Sequence, residues 1–356
     1  MTDFLVKRDD FRDCRVAGGD VPRVGPGQAL LRVDSFGMTS NNVTYAVFGE
    51  AMSYWQFFPC SEEGWGRVPT WGFAEVESSE AEGVEPGTRL YGYLPSSSHL
   101  VVTPAGADSS GFVDASPHKA ALPSAYHRYL AGPGDPFYRP ETEAVQMLLR
   151  PLFFTSFLID DQLEDEGLTA RGPVIVSSAS SKTSIAAAFL LAQRQGVELI
   201  GLTGSSNKGF VEGLGIYDSV VSYDAIDSLA RGPATYVDVS GDAGVRRAVH
   251  SHFGDQLAHS MAVGVTHWEE MEGGGEDLPG PAPAFFFAPA RVDKRAEDWG
   301  RAGLETRVAD AWHPFCEWTE GWLETIPGEG FDAVRSAWLD VLEGRVEPKR
   351  AHVLSL

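Results

Sequence analysis

Residues 173–192 concentrate the side chains that could do chemistry. Val174, Ile175 and Val176 form a β-branched run, the mark of a buried strand. A turn of small residues follows, Ser177-Ser178-Ala179-Ser180-Ser181, and then an Ala/Leu-rich run with helical period. A helix that starts behind such a turn offers its first N–H groups, and the positive end of its dipole, to a phosphate. The usual G-x-G-x-x-G is written here Ala179-x-Ser181-x-x-Ser184. Small residues still admit close backbone approach, and serine adds hydroxyls. Ala179, Ser181, Lys182, Thr183 and Ser184 are therefore the expected cofactor-binding residues of the turn. A nucleoside-triphosphatase loop is excluded, because Val176 and Ser181 fill both of its glycine positions. The plainer alternative is a helix cap formed by Ser181, Lys182 and Thr183.

A second buried strand, 197–203, ends about 20 residues further on, where a ribose-reading residue belongs. An NAD site would carry Asp or Glu there. This chain has Thr203-Gly204-Ser205-Ser206-Asn207-Lys208. Hydroxyls and a cation suit a 2′-phosphate, so Thr203, Ser205 and Lys208 point to NADP(H).

The elements that must position these residues fall into two regions. Residues 1 to about 125 read as short strands with Gly/Pro turns, among them 28–36, 68–76, 88–93 and 99–102, which suggest a small barrel or sandwich. Residues 131–140 are expected as an irregular surface loop, and 141–162 as a helical region. Strands at 174–176, 197–203, 235–241 and 258–265, with helices between, give an α/β doubly wound parallel sheet. Further helices are expected from 244 to 253 and after Gly330, a flexible loop at 272–277, and a last strand at 350–356 that returns to the first region. The expected domains are 1–140, completed by about 310–356, and 141–309.

The chain has 356 residues and a formal charge of −22, which argues against nucleic acid and anionic membrane surfaces as partners. Cys14, Cys60 and Cys316 are scattered, with neither metal-ligand spacing nor a disulfide framework, as fits a reducing cytosol. No secretory leader and no apolar run of membrane-spanning length are seen, so a cytoplasmic location is expected.

The order of landmarks resembles the medium-chain dehydrogenase/reductase superfamily, in its zinc-independent quinone- and enoyl-reductase-like branch. Pro26-Gly27-Gln28-Ala29-Leu30-Leu31-Arg32-Val33 looks like its opening strand, and Thr39-Ser40-Asn41-Asn42 stands where Asn-Pro-x-Asp is common. Glu85-Pro86-Gly87-Thr88-Arg89-Leu90 is similar to its Pro-Gly-Asp-x-Val, and Phe154-Thr155-Ser156 to its Leu-Thr-Ala. Val237-Asp238-Val239-Ser240-Gly241 looks like its Asp-x-x-Gly strand. The resemblance implies a GroES-like β-rich catalytic domain plus a Rossmann domain. It adds Thr155 and Tyr223 to the cofactor site, the tyrosine beside Lys208 at the 2′-phosphate. Gly264, with His267 after it, stands at the end of a strand in that site. The sequence departs from the family in its lost glycines and in a longer segment between 103 and 150.

Zinc ligands are missing from the places the zinc enzymes use: Asn41-Asn42 on the early turn, and Phe73-Ala74 after Pro69-Thr70-Trp71-Gly72. No metal is expected. Polarising a carbonyl then needs hydrogen-bond donors, and reducing an activated C=C needs a proton source. In the resembling enoyl reductases a tyrosine shortly after the early turn donates the proton. Tyr45 and Tyr54 are the candidates, with Asn42 as a substrate or ribose donor; each has a structural alternative as core, rim or cap. The aromatic runs 54–58 and 285–287 could line a pocket for a small apolar or aromatic carbonyl substrate. The expected function is NADPH-dependent hydride transfer to a conjugated C=C or quinone-like substrate, such as a polyketide-type aromatic intermediate. The alternative is a non-catalytic NADP(H)-binding relative. A homodimer is left open.

Overall fold

Apolar residues alternate along the first strands, so each buries one face, and Gly/Pro turns fold successive strands onto one another. The structure, a computed structural model, describes residues 1–263 and 277–356. Gly264, His267 and most of the glycine-rich loop lie outside the described residues.

In chain order the first part comprises β1 (Thr2–Lys7), β2 (Asp10–Gly18), β3 (Ala29–Met38), α1 (Ser40–Val47), β4 (Trp65–Arg67), β5 (Pro69–Ser79), β6 (Arg89–Pro95), β7 (His99–Val102), β8 (Pro104–Asp108), β9 (Gly111–Asp114) and β10 (Arg128–Ala131). Next come α2 (Glu143–Asp165), β11 (Val174–Val176), α3 (Lys182–Leu191), β12 (Leu199–Thr203), α4 (Lys208–Gly213), β13 (Ser219–Ser222) and β14 (Ala234–Asp238). The chain ends with α5 (Ala243–Phe253), β15 (Leu257–Ala262), β16 (Ala284–Phe285), α6 (Ala288–Trp299), α7 (Arg301–Thr319), β17 (Glu324–Glu329), α8 (Gly330–Leu342) and β18 (Arg350–Ser355).

Two compact units result: Met1–Leu148 with Leu323–Leu356, and Leu149–Trp322. The first holds a nine-stranded sheet in the order β17-β18-β3-β5-β6-β10-β9-β8, with β7 also on β3, and a separate sheet β2-β1-β4. The last strand is thus central to this unit: β18 lies antiparallel to β3, pairing Leu354 with Phe36. Trp338 of α8 is fully buried against Phe4, and its indole N–H donates to the Phe11 carbonyl at 2.7 Å. The stretch 131–140 is not simply a surface loop. Asp135 and Phe137 are buried, because the Asp135 carboxylate accepts from Gln146 (3.3 Å) and from the Phe137 N–H (3.1 Å). Those bonds satisfy polar groups that an irregular segment would otherwise have to keep in water.

Among its described residues the second unit holds a six-stranded, all-parallel sheet in the order β13-β12-β11-β14-β15-β16. This is the doubly wound order, with its switch point between β11 and β14. All of β11, β12 and β14 is buried, as strands covered on both faces must be. The helix α7 stays with this unit: Phe315 and Trp318 pack on Phe189 of α3, with ring centroids 5.3 and 5.1 Å apart. The boundary back to the first unit therefore falls at 322/323, and the outgoing boundary lies inside α2 at 148/149.

Candidate active site

The turn between β11 and α3 sits at the carboxyl end of the parallel sheet, beside the switch point. Its left-handed residue is Ser178, φ +51°, and none of Ala179, Ser181 and Ser184 has a positive φ. The replaced glycines therefore carry no backbone strain; the strain is at Ser178, which glycine would relieve. Ser181 caps α3, its hydroxyl oxygen accepting the Ser184 N–H at 3.2 Å. Its own proton goes to Ser184 Oγ (3.0 Å), and the Ser184 hydroxyl donates to the Ser177 carbonyl (2.9 Å). Both hydroxyls hold the turn in shape, so what the turn offers an anion is backbone and Lys182. Ala179 is buried and donates its N–H to Leu202 at 2.9 Å. Lys182 is half-buried at the first helical position, and burial pushes its ammonium down to about 8. A cation there opposes the helix dipole, and a bound anion would offset that cost.

Ser177 fastens the two strands at the switch point. Its hydroxyl donates to Asp238 (3.0 Å) and accepts from the N–H groups of Val239 and Ser240 (3.0 Å each). Thr183, at the second helical position, gives its carbonyl to Ser156 of α2 at 2.8 Å. Thr155 instead turns its hydroxyl to the Pro151 carbonyl (3.2 Å), within α2. Ser156, Ser177 and Asp238 were not singled out from sequence; Asp238 and Ser156 lay inside recognisable motifs, but nothing in the spacing marked their partners.

At the end of β12, Thr203 and Asn207 donate to Ser180 Oγ at 3.3 and 3.2 Å. The Tyr223 hydroxyl oxygen accepts the Ser178 N–H at 2.9 Å, and burial raises this phenol above its ordinary value. The structure thus brings Thr203 and Tyr223 onto the turn. Ser205 donates to Asp224 at 3.4 Å, and hydrogen bonding by Ser222 leads the causes that hold that carboxyl below its usual range. The Lys208 ammonium is half-exposed, 3.8 Å from Glu212.

In the other unit, α1 opens with a capping box. Thr39 accepts the Asn41 N–H (3.3 Å), and Asn42 Oδ1 accepts the Thr39 N–H (2.7 Å). Asn42 Nδ2 donates to the Pro69 carbonyl at 2.9 Å, and the residue is buried. Asn42 is thereby engaged as a helix cap and as a tie to β5. One turn on, Tyr45 is 5% exposed, and its oxygen accepts from Asn41 Nδ2 (2.8 Å) and Trp71 Nε1 (3.0 Å). Burial raises the Tyr45 phenol well above its ordinary value; the Trp71 and Asn41 bonds pull the other way. Tyr54 follows Ser53, a second left-handed serine at φ +59°, and its hydroxyl shares a 3.3 Å hydrogen bond with Tyr126. Tyr93 lies among these rings, 5.4 Å from Tyr45 and 4.6 Å from Tyr126, with its hydroxyl buried and without a hydrogen-bond partner among the described residues. Trp71, Tyr93 and Tyr126 escaped sequence reasoning, since they come from three separate strands or turns. Of the aromatic runs, Phe57 and Phe58 join this cluster, Phe286 is buried in the parallel-sheet core, and Phe285 and Phe287 are 52% and 56% exposed.

Among the described residues no group of three or more His, Cys, Asp or Glu is gathered as a metal would require, and no helix is long and apolar enough to cross a membrane. No curated protein matches the chain. Solved structures share its fold, among them these three. The YhdH oxidoreductase of Salmonella enterica, in complex with NADP, is 15% identical with a TM-score of 0.56, over 100% of both chains. CurA of Vibrio vulnificus, in complex with NADPH, is 13% identical with a TM-score of 0.64, over 99% of this chain and 98% of that one. The CurK enoyl reductase is 14% identical with a TM-score of 0.56, over 99% of each. The fold is therefore that of the medium-chain dehydrogenase/reductases, with a GroES-like and a Rossmann unit. The sequence profile of DUF2855, described as a protein of unknown function, matches residues 36–347, and the chain belongs to that family.

Proposed function

We propose that this protein is an NADPH-dependent, zinc-independent reductase that adds hydride to a conjugated C=C or quinone-like carbonyl of a small apolar substrate. The observation that carries this reading is the small-residue turn at the switch point of the parallel sheet, followed by the N-terminus of α3 with Lys182 at its first helical position. NADP and NADPH occupy two of the structures of like fold, and the donor set here suits such a group. The N–H groups at the start of α3 and Lys182 would hold phosphates, while Lys208, Ser205 and Tyr223 would meet the adenosine end. When bound, the reduced nicotinamide supplies the hydride. Tyr45 donates a hydrogen bond to the substrate carbonyl oxygen as hydride reaches the β carbon and the π electrons move onto that oxygen. The phenol proton passes to that oxygen, and the enol so formed takes a proton from water at its α carbon as its O–H proton returns to the Tyr45 phenolate.

The loss of all three glycines favours one further reading, a non-catalytic NADP(H)-binding relative of the reductases. Protein mixed with NADPH and a panel of enones and quinones, followed by nicotinamide absorbance, separates the two. Turnover supports the reductase; binding without turnover across the panel supports the binder; neither binding nor turnover sinks both. We place the protein in the cytoplasm and its substrate among flat, apolar carbonyl compounds, on the strength of the scattered cysteines and the aromatic cluster.

A further inference from the structure

Tyr45 has two acceptor positions on its oxygen and one proton. Trp71 Nε1 is a donor only, so the 3.0 Å contact with it has one possible direction. Asn41, one helical turn before Tyr45, also presents its amide N–H, at 2.8 Å. With Asn41 presenting Nδ2 and Trp71 Nε1, neither contact takes the phenol's proton, and among the described residues Tyr45 has no further hydrogen-bond partner. The two donors are themselves held. Trp71 stacks on Tyr91 with centroids 5.6 Å apart and planes at 18°, and the backbone of Asn41 is held in the first turn of α1, its N–H donating to the Thr39 hydroxyl at 3.3 Å. A buried hydroxyl hydrogen left in this way has to find its acceptor in a ligand or a water.

We propose that Asn41 and Trp71 are positioning residues that occupy the Tyr45 oxygen, so that the phenol proton is presented only to the substrate's oxygen. This rests on Tyr45 being the donor in the proposed reaction. Both residues act as donors to the oxygen that gains charge as the proton leaves. They therefore make Tyr45 a better acid than burial alone would allow, as well as aiming it. The arrangement suits a substrate whose reacting end is a lone acceptor, such as a ketone, enone or quinone oxygen. A substrate that must itself donate to Tyr45 would find both lone pairs taken.

The test places a fluorinated tyrosine at position 45 of the full chain, which brings ionisation into the accessible alkaline range, and follows its ¹⁹F resonance against pH. Trp71→Phe keeps an aromatic ring, though a smaller one, and removes the N–H; the midpoint is expected to rise by about one pH unit. With unmodified tyrosine and an enone that the wild type reduces, the same change should lower kcat about tenfold and leave KM unchanged. Asn41→Asp replaces the donor by an acceptor. It should turn the phenol proton inward, raise the midpoint further and remove most turnover. A midpoint unmoved by Trp71→Phe overturns the inference, as does a raised midpoint with unchanged kcat or full turnover in Asn41→Asp. Where circular dichroism shows Trp71→Phe unfolded, Asn41→Leu carries the same titration. Full turnover in Tyr45→Phe overturns the donor assignment itself. An unmoved midpoint while Tyr45→Phe is inactive overturns only the positioning role.

Discussion

In the proposed reading Lys208 sets the cofactor preference, and its ammonium is half-exposed. Its contact with Glu212 is a half-exposed surface pair 3.8 Å apart, of a kind that contributes at most about 1 kcal/mol. A charge-assisted bond to a 2′-phosphate is worth roughly 1.5–3 kcal/mol. Lys208→Ala should therefore weaken NADPH binding about 10- to 100-fold and leave NADH unchanged, as read by fluorescence titration of both cofactors. Equal losses would show that the lysine touches no 2′-phosphate. Tyr45→Phe is the companion test on the other unit. It should lower kcat by about 10²- to 10⁴-fold, the usual worth of a general acid, without altering the Kd for NADPH. If Tyr45→Phe and Tyr54→Phe, singly and together, keep full turnover, the proton comes from elsewhere.

The helix α3 makes its own pH-dependent prediction through Lys182, whose ammonium is shifted from 10.5 to about 8 by burial. The unfolded chain keeps that proton to higher pH than the folded one. Stability should therefore rise as pH increases from about 8 to 10.5. Lys182→Met should stabilise the protein at pH 7 and lose that advantage across the same window, in urea titrations at several pH values. Anion binding runs the other way, because it needs the proton: NADPH affinity should fall as pH passes about 8 in the wild type and stay flat in Lys182→Met. The helix α1 depends on its cap. Asn42 holds both the Thr39 N–H and the Pro69 carbonyl, so Asn42→Ala should cost about 1–3 kcal/mol of stability. A urea midpoint unchanged in Asn42→Ala would mean that the capping box is dispensable, and that Asn42 is free for another role.

At the scale of the whole chain, the first unit cannot close without the last residues. The strand β18 lies between β3 and β17, and β17 and α8 reach that sheet only through the return of the chain. Removing residues 343–356 would leave the hydrogen-bonding edge of β3 open, a template for wrong pairing. Such a truncation is expected to aggregate or to lose the near-ultraviolet signal of the first unit. A monodisperse truncated protein with native spectra would contradict the role given to β18. The charge of −22 acts on the whole molecule as self-repulsion, which is why these comparisons belong at fixed ionic strength.

The local pattern of the sequence determined what depends on neighbours along the chain. The β-branched runs of β11 and β12, the small-residue turn and the Ala-rich start of α3 were legible because strand, turn and helix each have their own period and composition. The doubly wound unit, the β-rich unit and the returning last strand followed from their order. Short edge elements such as β8, β13 and β16 were not legible, since these partly exposed strands have neither the continuous apolar run of a buried strand nor enough alternations to stand out. Tertiary structure alone decided which hydroxyls are spent and which remain. Ser181, Ser184 and Asn42 have the right chemistry for a site, yet their bonds go to the turn and to the helix cap. The Tyr45 oxygen accepts from Trp71 only because β5 brings that residue, 26 positions away in sequence, to it. Hydrogen-bond direction is settled by which donors and acceptors meet in space, and no spacing along a chain encodes that for residues on different strands.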